Sequence, residues 1–197
     1  MADAVVILAG YLLGSMPFGY WVVRLLKGVD VRQVGSGNIG ATNVWRAYGK
    51  GYGIPIVVLD VAKGLVPTLV GSIVGGALVG VLAGSAAMLG HWRPLFLGFQ
   101  RGGKTVATAG GTFFAAAPLL GVIGLLVWIV VFALSRYASL ASLLTAYSMP
   151  VVALLLGEEW PIVAFAGVAA VVVTVLHRAN IGRLRAGTES RFSRAAR

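Results

Sequence analysis

Polar side chains able to do chemistry are scarce in this chain of 197 residues, and most of them fall in three short segments. The first, 35–46, reads Gly-Ser-Gly-Asn-Ile-Gly-Ala-Thr-Asn-Val-Trp-Arg. Its glycines, Gly37 among them, let backbone N–H groups approach an anion closely. Ser36, Asn38, Thr42 and Asn43 add neutral donors, and Arg46 adds a two-pronged cation. The second, 91–108, runs from His91 through Gly102-Gly103-Lys104-Thr105 to Thr108. Lys104 stands where a helix begins, so an ammonium and N-terminal amides can act on one phosphate. The third, 177–189, carries His177 and Asn180 three apart, hence on one helix face, with Glu189 placed to orient an arginine. The chemistry this favours is the gripping of phosphate-like anions, with an imidazole at hand as a base.

Each segment also has a plainer reading. The first would serve as a flexible interfacial loop. Trp92, Phe96 and Phe99 suit an aromatic belt at a membrane surface better than a substrate cage. His91 would simply end a helix, and His177 would be satisfied by free carbonyls at a helix C-terminus. Asp60 and Lys63, three apart within an apolar run, read either as a structural ion pair or as part of the site, because isolated charges there cost several kcal/mol, on the order of the cost of burial in lipid. Ser139 and Ser142 reach the same cavity or bond backbone carbonyls.

Two motif matches fail on context. Residues 35–40 fit G-x-G-x-x-G, with Asp60 following at dinucleotide-site spacing, but no strand precedes them. Residues 98–105 fit G-x-x-x-x-G-K-[ST], yet no Asp follows Asp60 to hold magnesium. Both retain one true element, a glycine-rich backbone beside Lys, Ser and Thr. No residue set calls for a cofactor or a metal, and no nucleic-acid partner is expected.

The elements that must position these segments are apolar. The chain is 58% hydrophobic and 11% charged, with a mean hydropathy of +0.91 and no cysteine. That composition excludes a soluble enzyme with one packed core, a disordered chain and any disulfide or thiolate chemistry. A membrane-spanning helix needs about 20 apolar residues. Residues 4–23 supply one span. Residues 51–90 would make about 60 Å of helix, so they must fold back around 71–76. Residues 105–135 divide at the Ala-Ala-Ala-Pro118 turn, and 137–157 and 161–176 complete the set. The reading is an all-α, polytopic integral membrane protein of about seven transmembrane helices, folded as a single domain over 1–197.

Charge orients it. With the N-terminus outside, Arg24, Lys27, Arg32, Arg46, Lys50, Arg93, Arg101, Lys104, Arg136 and the basic residues from Arg178 to Arg197, Arg194 included, all face the cytoplasm. Of the 16 basic residues only Lys63 is left out, while Asp3, Glu158 and Glu159 face outward. The C-terminus is then cytoplasmic, beside anionic lipid.

In these three segments the chain resembles the acyl-phosphate:glycerol-3-phosphate acyltransferase (PlsY) family of bacterial membranes. The matching runs are Gly35 to Asn43 with Arg46, His91-x-x-Pro94 through Gly102-Gly103-Lys104 and Val106-Ala107-Thr108, and His177-x-x-Asn180-Ile-x-Arg183 with Gly187 and Glu189. Asp60-x-x-Lys63-Gly64 matches a further element. Gln100-Arg101 stands where the family usually has one basic residue, and Thr105 replaces a smaller one. The resemblance implies transfer of a fatty acyl group from acyl-phosphate to the 1-hydroxyl of sn-glycerol 3-phosphate, giving lysophosphatidic acid and phosphate in phospholipid synthesis. It implies catalytic roles for Lys104, His177, Arg46 and Ser36, and substrate contacts from Gly37, Asn38, Thr42, Asn43, Gly102, Gly103, Ser142, Asn180 and Glu189. It also implies the bacterial inner membrane, a site open to the cytoplasm, and a functional link to the soluble enzyme that makes acyl-phosphate. The His-x4-Asp signature of other glycerolipid acyltransferases is absent, since Phe96 and Gly182 stand five residues after His91 and His177. Phosphate is already a good leaving group, so positioning and charge stabilisation suffice without a covalent acyl-enzyme. The rival readings are a small transporter of a phosphorylated metabolite, which would show paired repeats, and an acyltransferase using acyl-CoA or acyl carrier protein.

Overall fold

The computed structural model describes residues 1–192, and every regular element among them is helical. Arg194 and Arg197, counted above with the inner-side charges, lie outside the described residues. The chain divides into two compact units, Met1–Ala116 and Ala117–Arg197.

The first unit holds α1 (Ala2–Gly14), α2 (Phe18–Lys27), α3 (Ala41–Tyr48), α4 (Lys50–Trp92) and α5 (Val106–Ala116). The run expected as one unbroken span over 4–23 is broken at residues 15–17. Pro17 has no N–H to continue the ladder, and it disfavours helical geometry at Met16. The stretch Ala2–Lys27 as a whole is still long and apolar enough to cross a bilayer.

Within α4 the chain reverses at Gly75 and Gly76, inside the stretch where the sequence requires a fold-back. Gly76 has φ +73°, a conformation that side-chain-bearing residues rarely adopt. The two arms run antiparallel, with Thr68 beside Gly84 and Gly71 beside Gly80. α1 lies parallel to the second arm, Gly10 over Ala83 and Gly14 over Ala87, and α5 crosses the first arm at Gly64 and Val61. At the α2 end, Val23, Val31, Ile39, Ala41, Val44 and Ile56 form a buried cluster on which Leu97 packs.

The second unit contains α6 (Pro118–Ser135), α7 (Ala138–Leu155), α8 (Trp160–Leu176) and α9 (Arg178–Arg185). Pro118 opens α6, where the missing proline N–H costs nothing, so the chain turns at Ala117 as its sequence suggests. α6 and α7 are antiparallel, with Gly124 beside Met149 and the Trp128 indole donating to Ser142 Oγ at 3.2 Å. α8 and α9 meet at a bend of 63° at His177. α6 presents Leu119, Val122, Leu126, Ile129 and Val130 outward, a surface suited to lipid.

Among the described residues, four helical stretches are long and apolar enough to cross a bilayer, or five with the bent α8–α9 pair. Lys50–Leu97 enters that count once although the chain reverses within it. α5 has 11 residues, about 16 Å of helix, well short of the ~30 Å hydrocarbon layer.

Candidate active site

The first segment is a loop organised by one side chain. Asn43, 3% exposed on α3, accepts the Ser36 N–H on Oδ1 at 2.9 Å. Its Nδ2 donates to the carbonyls of Val34 and Asn38, both at 2.9 Å. The amide expected to touch a ligand is therefore engaged inside the loop. Asn38 Oδ1 accepts the Gly40 N–H at 2.7 Å, a local turn that shapes the entry to α3. Ser36, Gly37, Thr42 and Arg46 are exposed on this scaffold.

The second segment joins the same end of the unit. Arg32 donates to Gln100 Oε1, and the Trp21 and Phe96 rings lie 5.8 Å apart. Asp30, to which the sequence reading gives no part, clamps Arg32 through Oδ1 and Oδ2. The hydrogen bond from the Arg32 guanidinium holds the Asp30 carboxyl below the usual carboxylate range, and the same bond raises Arg32. Gly102 and Gly103 are buried, their N–H groups donating to the carbonyls of Trp92 at 2.8 Å and His91 at 2.9 Å. These N–H groups are turned to the end of α4, which argues against their being ligand donors. Lys104 follows, half-buried, and Thr105 caps α5 by accepting the Ala109 N–H on its carbonyl at 2.8 Å. Lys104 thus precedes the first turn of α5, near the helix start that the sequence suggests.

In the second unit His177, 3% exposed, sits at the α8–α9 bend. Its Nδ1 faces the Val173 carbonyl at 2.8 Å. A carbonyl can only accept, so Nδ1 carries a proton and donates it there. Glu189 is the hub of the polar cluster beside it. Oε1 accepts from Ser139 Oγ at 2.7 Å and Asn180 Nδ2 at 2.6 Å, and Oε2 accepts from Arg183 Nε at 2.6 Å. Burial pushes the Glu189 carboxyl up, but these three hydrogen bonds and the Arg183 charge outweigh it and hold the group below its ordinary value. Glu189 does orient an arginine, as its position suggests, and its carboxylate is engaged within the protein rather than held out to a ligand.

Ser142, expected among ligand contacts, donates to the Ala138 carbonyl at 2.8 Å and receives the Trp128 indole. Ser139 is the serine that joins the polar cluster. Nothing in the sequence pairs it with Glu189, 50 positions away. The cluster is tied down further along: Arg136 Nε donates to the Phe192 carbonyl at 2.8 Å, and Phe192 N–H returns to the Arg136 carbonyl at 2.9 Å. Arg191 reaches the Tyr137 hydroxyl at 2.8 Å.

A sequence profile described as glycerol-3-phosphate acyltransferase matches residues 4–187. A glycerol-3-phosphate acyltransferase of Desulforudis audaxviator is 48% identical over 194 residues, covering 98% of both chains. That of Aquifex aeolicus is 44% identical over 188 residues, 94% of this chain and 97% of its own. Among solved structures, the glycerol 3-phosphate form of PlsY, an integral membrane glycerol 3-phosphate acyltransferase, superposes with a TM-score of 0.94 at 42% identity, covering 98% of this chain and 96% of its own. Its lysophosphatidic acid form gives 0.91 at 40% identity over the same shares.

Proposed function

Because this chain belongs to the glycerol-3-phosphate acyltransferase family, we propose that it transfers a fatty acyl group from acyl-phosphate to the 1-hydroxyl of sn-glycerol 3-phosphate. The products are 1-acylglycerol 3-phosphate and inorganic phosphate. The hydroxyl oxygen attacks the acyl carbonyl, the carbonyl–phosphate bond breaks, and the phosphate leaves with the bonding electrons. Lys104 and the exposed first-segment groups Ser36, Gly37 and Thr42 hold the donor phosphate and stabilise its departing charge. His177 and Asn180 hold glycerol 3-phosphate, and Arg46 adds its cation to the exposed first-segment groups. Asn43 and Glu189 act behind these groups, the one shaping the first loop and the other fixing Asn180 and Arg183. The observation that carries the reading is the Glu189 hub, which holds Asn180 and Arg183 in one fixed arrangement on the helix that begins at His177, whose ring is oriented by the Val173 carbonyl. Fixed donors of this kind suit charge stabilisation without a covalent intermediate.

The topology proposed with it is seven crossings of a bacterial inner membrane, with the two arms of α4 counted separately and the short α5 counted as one crossing together with the residues that lead into it, N-terminus outside, C-terminus and site toward the cytoplasm. The placement of basic residues supports this. A single acyltransferase domain over 1–197 is supported by the family profile, which runs through both compact units. The donor would come from a soluble enzyme making acyl-phosphate.

The test is the purified full chain in nanodiscs, given glycerol 3-phosphate with acyl-phosphate, acyl-CoA or acyl carrier protein thioester. Release of phosphate and formation of lysophosphatidic acid are expected with acyl-phosphate alone. Turnover only with a thioester, or none with any donor, overturns the reading. His177→Ala then locates the hydroxyl proton. If it passes to the acceptor's own phosphate, KM for glycerol 3-phosphate rises and kcat changes little. If Nε2 takes it, kcat falls by about 10³.

A further inference from the structure

Among the described residues, the largest fully buried side chain is a lysine. Lys63 is 1% exposed and Asp60 3%, both on the first arm of α4, one turn apart. Two charges taken out of water are an expensive way to make a contact that apolar side chains would make as well, so their partners are informative. Lys63 Nζ meets Asp60 Oδ1 at 2.9 Å and donates to the Met16 carbonyl at 3.1 Å, in the break between α1 and α2. The Phe18 ring lies 5.5 Å from the same ammonium. Asp60 Oδ1 also faces His91 Nδ1 at 3.7 Å, on the other arm of α4.

His91 carries the contact onward. It is 4% exposed, and its imidazole is pressed against the Gly102-Gly103 segment. A Cβ placed on Gly103 would fall 1.9 Å from His91 Nε2, and one on Gly102 would fall 2.1 Å from the His91 carbonyl oxygen. Both positions therefore require glycine. The two N–H groups are bonded to the last carbonyls of α4. Lys104 is the next residue, within about 3.8 Å along the backbone of Gly103. A shift of the imidazole must move Gly103, and with it Lys104.

We propose that Asp60, Lys63 and His91 form a buried post that sets the position of Lys104, making all three positioning residues for the reaction. This rests on the role given to Lys104 at the donor phosphate. The ion pair anchors to the α1–α2 break, the imidazole packs against Asp60 at 3.7 Å, beyond hydrogen-bond range, and the Gly-Gly segment lies on the imidazole. Each link joins a different stretch of the chain. That is what a positioning device needs, and a simple ion pair between helix neighbours does not.

The test compares the wild type with Asp60→Asn, with the uncharged pair Asp60→Asn/Lys63→Met, and with each change in a Lys104→Ala background. All are studied as full chains in nanodiscs. Two readouts are taken: hydrogen exchange at the Gly102 and Gly103 amides, and kcat and KM with acyl-phosphate and glycerol 3-phosphate. In Asp60→Asn, exchange at both glycines is expected to rise at least roughly tenfold, a release of about 1.4 kcal/mol or more. The kcat is expected to fall about 10²-fold, the scale of a 1 Å misplacement, with KM for glycerol 3-phosphate unchanged. In the Lys104→Ala background the kcat effect should vanish. Equal losses with and without Lys104, or unaltered exchange at the glycines, overturn the proposal. Full turnover by Lys104→Ala alone removes the phosphate role of that lysine, and the exchange data still decide whether the post holds the segment. If Asp60→Asn does not fold, the uncharged pair takes its place. If neither folds, the cluster is a folding element and the proposal fails.

Discussion

Replacing Glu189 by glutamine isolates the charge of the hub while keeping its shape. The carboxylate accepts two hydrogen bonds on Oε1, from Ser139 and Asn180, and one on Oε2, from Arg183. Glutamine has a single acceptor oxygen. Placed at Oε1 it keeps Ser139 and Asn180 but turns an amide N–H toward Arg183 Nε. Placed at Oε2 it keeps Arg183 and leaves two buried donors facing N–H groups. A hydrogen bond to a charged group contributes roughly 1.5–3 kcal/mol, and a buried donor left unsatisfied costs about 1–3 kcal/mol. Arg183 is 42% exposed and regains water, so the first orientation wins. The expected loss is about 1–2 kcal/mol, less than breaking all three bonds would give. The pH dependence follows from the same geometry. Because the folded-state value lies below the ordinary 4.5, the carboxylate stabilises the fold fully above that pH. The contribution is lost as pH falls from there through the depressed folded value. Thermal unfolding in detergent from pH 7 down to 3 should show a falling limb below about pH 4.5 that Glu189→Gln makes shallower, leaving the part that Asp30 contributes. The same variant should lower kcat/KM for glycerol 3-phosphate about tenfold as Asn180 and Arg183 loosen. An unchanged acid limb together with kcat/KM within twofold of the wild type would refute the hub.

Two further outcomes follow from single contacts. Asn43→Ala removes the side chain that gathers the Ser36 N–H and the Val34 and Asn38 carbonyls. A loss of about 1–3 kcal/mol is expected, with rapid proteolysis of the 31–40 loop as the readout, and a loop as resistant as the wild type would deny its organising role. Gly103→Ala places a methyl in the space of the His91 imidazole and should destabilise by about 1–3 kcal/mol. Adding His91→Ala should recover part of that loss in thermal unfolding, and strictly additive losses would show that the two positions do not touch.

Much of the architecture is legible in the chain itself, for reasons particular to lipid. A bilayer offers no water to unpaired backbone groups, so spanning segments must be helical and apolar over a fixed length. Breaks then stand out, as at Pro118 and at Gly75 and Gly76, both within stretches where the sequence demands a turn. Pro17 carries the same kind of signal, but it sits in a charge-free run whose length fits one span. The break there appears only once Met16 is seen giving its carbonyl to Lys63, 47 positions on. The three polar segments were readable because glycine-rich, basic stretches have no purpose inside lipid.

What each polar side chain does within those segments was decided by tertiary structure. Asn43 and Ser142 look like ligand donors in sequence and are engaged internally, while Ser139 joins the Glu189 hub. Residue type fixes which hydrogen bonds a group is able to make. Which of them it makes depends on neighbours brought close by helix packing, and a serine 50 positions from its carboxylate has no local trace of that partner. The sequence alone determined a helical membrane protein whose polar residues gather in three short segments. The packing around Lys63, Asn43 and Glu189 determined which bonds their polar groups make, because a buried polar atom left without a partner is costly.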